Sequence, residues 1–126
     1  MWIIDANNVL GARPDGWWRD RPRALARLVD AIATWRPPDA EVVVVVDGDP
    51  TPQLPEGPHR GVEVRYAQRR GPNAADHAIV GLLAAMDDPT GVTVVTSDGW
   101  LRSRARELGA AVEGAGTFRA RIDPAE

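Results

Sequence analysis

The sequence predicts an α/β fold, a three-layer α/β/α sandwich around a central, mainly parallel sheet. Short apolar runs rich in β-branched residues, Trp2–Ile4 and Val42–Val46 among them, alternate with segments whose apolar residues recur at helical spacing. The second run is five consecutive valines with no polar face, the pattern of a strand buried on both sides of a parallel sheet.

Taken in order, Trp2–Ile4 is the first strand, and it runs directly into Asp5, Ala6, Asn7 and Asn8. A helix follows over Arg21–Trp35: Leu25, Leu28, Val29 and Ile32 share one face, Pro22 suits a first turn, and Pro37 and Pro38 end the segment. Val42–Val46 is the second strand, and the proline-rich passage Gly48–Pro58 reads as a surface loop. Val62–Ala67 and Val92–Thr96 are further strands, while Ala74–Met86 and Gly99–Leu108 are further helices. The tail after Arg121 is expected to fray. No linker, repeat or low-complexity tract divides the 126 residues, so one domain over 1–126 is expected.

Composition removes several chemistries. Cysteine is absent, which excludes disulfides and thiolate metal sites and fits a reducing compartment. All fifteen basic residues are arginine, as GC-rich coding would produce, and without lysine neither a P-loop nor a Schiff base can be built. No apolar run approaches bilayer length and no basic-then-apolar leader opens the chain, so a soluble, cytoplasmic protein without a membrane partner is expected. The net charge of −3 leaves the partner undecided, because a local basic surface can coexist with an acidic cluster.

The acids are informative by position. In an open parallel sheet the strands end on one edge, and ligands bind beyond those carboxyl ends. Asp5 follows the first strand, Asp47 the second and Asp98 the run "VTVVTS", while Asp76 opens a helix entered from the same edge. Each has an ordinary explanation: Asp favours turns, Asn73 with Asp76 resembles a capping box, and Ser97 or Asp98 could cap the next helix. Four carboxylates on one edge repel and raise one another's pKa unless a cation neutralises them. Oxygen ligands without thiolates or paired histidines favour Mg²⁺ or Mn²⁺, and such ions promote phosphodiester hydrolysis. Asn7 or Asn8 would orient the first acid or a bound water, with Thr96 and Ser97 doing the same beside Asp98; ordinary turn hydrogen bonding is the competing role. His59 and His77 are left unassigned, and Asp49 reads as a turn former before Pro50.

Beside the first strand, "GARPDGWWRDRPR" mixes Arg13, Arg19, Arg21 and Arg23 with Trp17 and Trp18, and "YAQRRGPN" adds Arg69 and Arg70. Guanidinium groups contact phosphates and indoles stack on unpaired bases, a combination suited to single strands. The competing reading packs one tryptophan over the core and pairs the arginines with Asp15 and Asp20. Arg102, Arg104 and Arg106 read as a solvated helix face.

These residues resemble the NYN domains, PIN-like ribonucleases, and within them the YacP-like group. The matching pieces "IIDANNVLG", "VVVVVDGDP", "NAADHAIV" and "VVTSDGWLRSRARELGAAVEGAGTFRARI" follow the family's order over nearly the whole chain. The resemblance implies a single PIN-like domain and a metal-dependent ribonuclease. Asp5, Asp76 and Asp98 match its acids, Asp47 the acid after the second strand, and Asn8 the amide of the first motif. Two positions depart from the pattern. Ala6 stands where the family often has Gly, and His77 where relatives often carry a second Asp, which implies weaker metal binding or one ion instead of two.

Two functions follow. The first is a Mg²⁺- or Mn²⁺-dependent endoribonuclease acting on single-stranded or accessible RNA, with Asp5, Asp76 and Asp98 as ligands, Asp47 behind them or at a second ion, and Asn8 beside them. The second is a non-catalytic RNA- or ribosome-binding module that keeps the fold. A receiver domain lacks its lysine, a haloacid-dehalogenase-type phosphatase its second Asp at Asn7, and a dinucleotide fold its Gly-rich turn.

Overall fold

The computed structural model describes residues 1–67 and 74–123. Within them, six strands form one sheet: β1 (Trp2–Asp5), β2 (Val42–Asp47), β3 (Gly57–His59), β4 (Val62–Ala67), β5 (Thr93–Val95) and β6 (Ala111–Glu113). Their spatial order is β3-β4-β2-β1-β5-β6, and every pairing is parallel except that of β3 with β4. Five helices surround the sheet: α1 (Ala6–Leu10), α2 (Arg21–Trp35), α3 (Ala74–Ala84), α4 (Gly99–Glu107) and α5 (Ala115–Ile122). The predicted α/β/α sandwich is therefore the observed one. No helix among the described residues is long and apolar enough to cross a membrane.

The valine run shows why the helices divide between two faces. Side chains alternate along a strand, so Val42, Val44 and Val46 enter one core with α1, α2 and α5, while Val43 and Val45 enter the other with α3 and α4. Ile4 and Ile3 divide in the same way on β1. Neighbouring strands are in register, with Ile4 opposite both Val44 and Val95, so the central strands present continuous apolar layers to both helical layers. At the amino end of the sheet, Trp2 meets Trp35 edge-on with ring centroids 4.9 Å apart, and Trp35 meets Phe118 at 4.9 Å. That cluster fastens α2 and α5 to β1.

The predicted helix over Arg21–Trp35 forms with those bounds, Asp20 accepting the Arg23 N–H at its start. Four elements are additional to those predicted. The strands β3 and β6 have three residues each, too few to show a period of two, and Pro58 is tolerated because β3 is an edge strand. The β3 strand also begins inside the passage expected to be loop. The helix α1 has only five residues, including two asparagines of low helix propensity. The helix α5 carries order two residues past Arg121, where the sequence predicts fraying to begin: Ile122 is buried and Asp123 is ion-paired, and the rest of that tail, residues 124–126, lies outside the described residues.

Burial of Arg119 explains why α5 docks as it does. Its guanidinium donates to the Val9 and Leu10 carbonyls at the end of α1, to Asp15 at 2.9 Å and to Asp123 at 3.0 Å. One charged group thus adds bonds to two carbonyls at the end of α1, that of Val9 also accepting the Ala12 N–H, and joins three segments. Arg119→Met is expected to destabilise the protein by about 3 kcal/mol in urea titrations, because Asp15 and the end of α1 lose a buried cation together and Asp123 keeps only Arg13. Arg104→Met, which removes only an exposed pair with Glu107, should change stability by no more than about 0.5 kcal/mol.

Candidate active site

The carboxyl ends of β1, β2 and β5 gather the predicted acids. Asp5 and Asp47 are the last residues of β1 and β2, Asp98 caps α4 just beyond β5, and Asp76 lies in the first turn of α3. Because β1 is central and the chain leaves it toward β2 on one side while β5 pairs on the other, this edge contains the crevice typical of open α/β sheets.

A chain of hydrogen bonds fixes the acids. Asp5 is 3% exposed, and its Oδ2 accepts from the Thr96 hydroxyl at 3.0 Å. The same Thr96 oxygen accepts the Asp98 N–H at 3.1 Å, so one buried hydroxyl joins the two acids' segments. Asp98 Oδ1 accepts the Leu101 N–H at 2.9 Å, the helix-capping role open to it from sequence. Asp47 Oδ1 accepts the Ala75 N–H at 2.7 Å, which fastens the first turn of α3, and hence Asp76, to the end of β2. Gly48, at φ 104°, turns the chain sharply away immediately afterwards.

The two asparagines and Ser97 act between segments. Asn7 Oδ1 accepts the Asp47 N–H at 3.1 Å and Asn8 Oδ1 accepts the Ser97 N–H at 2.8 Å, so adjacent amides hold the ends of the strands on either side of β1. The Asp5 carboxyl, by contrast, caps no N–H of α1 and is held by the Thr96 hydroxyl. Ser97 Oγ accepts the Ala115 N–H at 2.8 Å and supplies a cap to α5, which has none from its own Gly114.

Electrostatics follow from this crowding. Burial pushes the Asp5 carboxyl up to about 7, with further upward pressure from Asp76 and Asp47, against the lowering effect of the Thr96 hydroxyl and the nearby backbone of Asn8. Burial also pushes Asp76 up to about 6, assisted by Asp98 and Asp47 and opposed by His77. All four acids are therefore within electrostatic reach of at least one other. Among the described residues, no three His, Cys, Asp or Glu side chains come together to enclose an ion. The donor set still fits a hard divalent cation: it is all oxygen, and repulsion between its members is what such a charge would relieve. Mg²⁺ commonly takes one or two protein carboxylates and completes its shell with water and substrate phosphate.

The residues predicted to hold nucleic acid spread further. Arg21 lies beside the acids, donating to the Asp47 carbonyl at 3.2 Å. Arg13 pairs with Asp123 at 2.9 Å. Trp17 packs partly against the core and meets Trp18 edge-on, whereas Trp18 is 55% exposed. Arg19 and Arg23 border a groove of about 380 Å³ with Trp17 and Arg27, and none of the four acids lines it. The competing reading pairs Asp15 and Asp20 with the arginines of this segment; the bonds found run instead from the distant Arg119 to Asp15 and from the Arg23 backbone N–H to Asp20. Arg69, Arg70 and Asn73 lie outside the described residues. His59 bonds Asp30 on α2 at 2.7 Å. Sequence reasoning passed over Trp100, which is 46% exposed and whose ring lies 5.2 Å from that of His77. The signal available was its place two residues after Asp98.

A raised Asp5 pKa makes stability depend on pH. The folded chain holds the Asp5 proton more tightly than the unfolded chain, whose carboxyl titrates near 3.8. The associated stabilisation is complete below that value and is lost as pH rises through about 7. In EDTA, Asp5→Asn should abolish this slope and gain up to about 4 kcal/mol over the wild type between about pH 4 and about pH 8, read by denaturant titration. Equal slopes in the two proteins would show that Asp5 is not held against its charge.

Residues 2–126 match the YacP-like NYN domain. The crystal structure of Rae1 (YacP) from Bacillus subtilis, a W164L mutant, superposes with a TM-score of 0.72 at 25% sequence identity, over 95% of this chain and 72% of that one. No curated protein matches the chain. With a PIN-like sheet and acids at its carboxyl edge already evident, the match over nearly the full length leaves one assignment: the chain belongs to the YacP-like NYN domains, a family of PIN-like nucleases.

Proposed function

We propose that the protein is a Mg²⁺- or Mn²⁺-dependent endoribonuclease that hydrolyses phosphodiester bonds of single-stranded or accessible RNA. The observation that carries this reading is the convergence of Asp5, Asp47, Asp76 and Asp98 on one sheet edge, where burial, and after it mutual repulsion, lifts two of them well above the ordinary carboxylate range. Asp5, Asp76 and Asp98 would hold the cation. When bound, it would supply charge neutralisation at the phosphate and a more acidic water.

The chain's own contributions are positional. Thr96 fixes the rotamer of Asp5 and the backbone of Asp98 through one hydroxyl, and Asp47 sets the first turn of α3 through the Ala75 N–H. The amino ends of α3 and α4 meet this edge, and the positive ends of their helix dipoles favour an anionic ligand. Arg21, held to the Asp47 carbonyl, and the exposed Trp18 lie on the segment that would receive the strand. Arg13, Arg19, Arg69 and Arg70 would extend the phosphate path. RNA is the proposed partner, and a cytoplasmic location accords with a chain free of cysteine.

One observation favours a second reading, a non-catalytic RNA- or ribosome-binding module: no three of the described acids enclose an ion, and His77 stands where a further acid would help. Cleavage of single-stranded RNA in Mn²⁺ separates the two. The nuclease should be silenced by EDTA, and Asp5→Asn, Asp76→Asn and Asp98→Asn should each lose at least about a hundredfold in rate. These amides keep the fold, since Asn still accepts from Thr96 at position 5 and caps α4 at position 98. RNA binding without cleavage in either metal would establish the binding module.

A further inference from the structure

Trp100 and His77 form the exposed aromatic pair nearest in sequence to the acids. His77 follows Asp76 in the first turn of α3, and Trp100 lies in the first turn of α4 two residues after Asp98. Asp76 and Asp98 interact electrostatically, so the two helix starts, and the rings they carry, adjoin the same acidic edge. The ring centroids are 5.2 Å apart at an interplanar angle of 56°, which lets the imidazole brace one side of the indole. Nearly half of Trp100 stays open to solvent. Its neighbour Leu101 is fully buried and anchors the helix, so burial of the core does not require an indole at position 100.

We propose that Trp100, braced by His77, is a stacking platform for one unpaired nucleobase of the strand whose phosphate lies at the acids. This inference rests on the RNA-binding reading above and adds to it a base-sized subsite on the α3–α4 side, opposite the Trp17–Trp18 segment that precedes α2. An indole offers a face to any base, so the subsite selects for unpaired nucleotides and tolerates sequence. A base in a duplex is covered on both sides by its neighbours and gains nothing from it. The position of His77 acquires a role here that does not depend on cation binding.

The test is equilibrium binding of a short single-stranded RNA oligonucleotide, in an Asp5→Asn background that stops turnover and reduces repulsion. Trp100→Ala should weaken binding about tenfold, the size of one base–aromatic stack, whereas Trp100→Phe should stay within about threefold. Replacing one nucleotide by an abasic unit should reproduce the loss at a single position, with no further loss at that position in Trp100→Ala. Affinity for a blunt duplex of the same sequence should be unchanged by Trp100→Ala. The platform is overturned if Trp100→Ala binds like its parent, if its effect and that of every abasic unit simply add, if duplex binding falls equally, or if the parent binds no RNA. Cleavage by the wild-type protein is read separately. Cleavage with no role for Trp100 removes the platform and leaves the nuclease, whereas Trp100-dependent binding without cleavage does the reverse.

Discussion

Placing a carboxylate at the buried end of the central strand is unfavourable, and much of the local structure at that edge can be understood as its compensation. Asp5 has strands on both sides and lies at the edge of the apolar layers formed by Ile3 and Ile4. A charge there must be hydrogen-bonded or neutralised. Thr96 supplies the first, yet the carboxyl remains above the usual range because desolvation by burial, with added negative potential from Asp76 and Asp47, outweighs that bond. The side chains that hold Asp5 also hold each other: Thr96 bonds Asp98, Asn8 bonds Ser97, Ser97 caps α5, and Asn7 bonds Asp47, which receives α3. Removing any one contact therefore shifts the geometry of several.

The opposite end of the sheet shows the contrast. There Trp2, Trp35 and Phe118 interlock without a charge among them, and the valine run supplies both cores. Stability is concentrated at the amino edge and in the layers, and strain of electrostatic origin at the carboxyl edge. Such a division is expected where a stable scaffold carries a site whose charges are arranged for a ligand instead of for folding.

Much of this was legible in the sequence because the signals were long or positional. Five valines, a fifteen-residue amphipathic helix with its own prolines, and acids following apolar runs each carry a physical rule. What was not legible depends on contacts distant in the chain. The roles of Asn7 and Asn8 could not be chosen between, since their partners lie some forty and ninety residues away. Arg119 carries no local mark of its burial, and Asp15 attracts it across more than a hundred residues. The short strands β3 and β6 exist by pairing with stronger neighbours, a tertiary effect that three residues cannot announce.

The amides after β1 link fold and chemistry most directly. A polar residue there could have served only the ligand, but Asn7 and Asn8 each spend a side-chain oxygen on a backbone N–H of a neighbouring strand end. Those bonds fix the spacing between β2, β1 and β5 where Asp47, Asp5 and Thr96 emerge, and parallel pairing alone leaves such ends unsecured because the ladder stops. The separation of the acids is thus set by the amides between them. An exchange at Asn8 would act first on Ser97, then on the Thr96–Asp98 segment and the start of α5, so its chemical effect would arise from displaced carboxylates even if Asn8 touched no substrate.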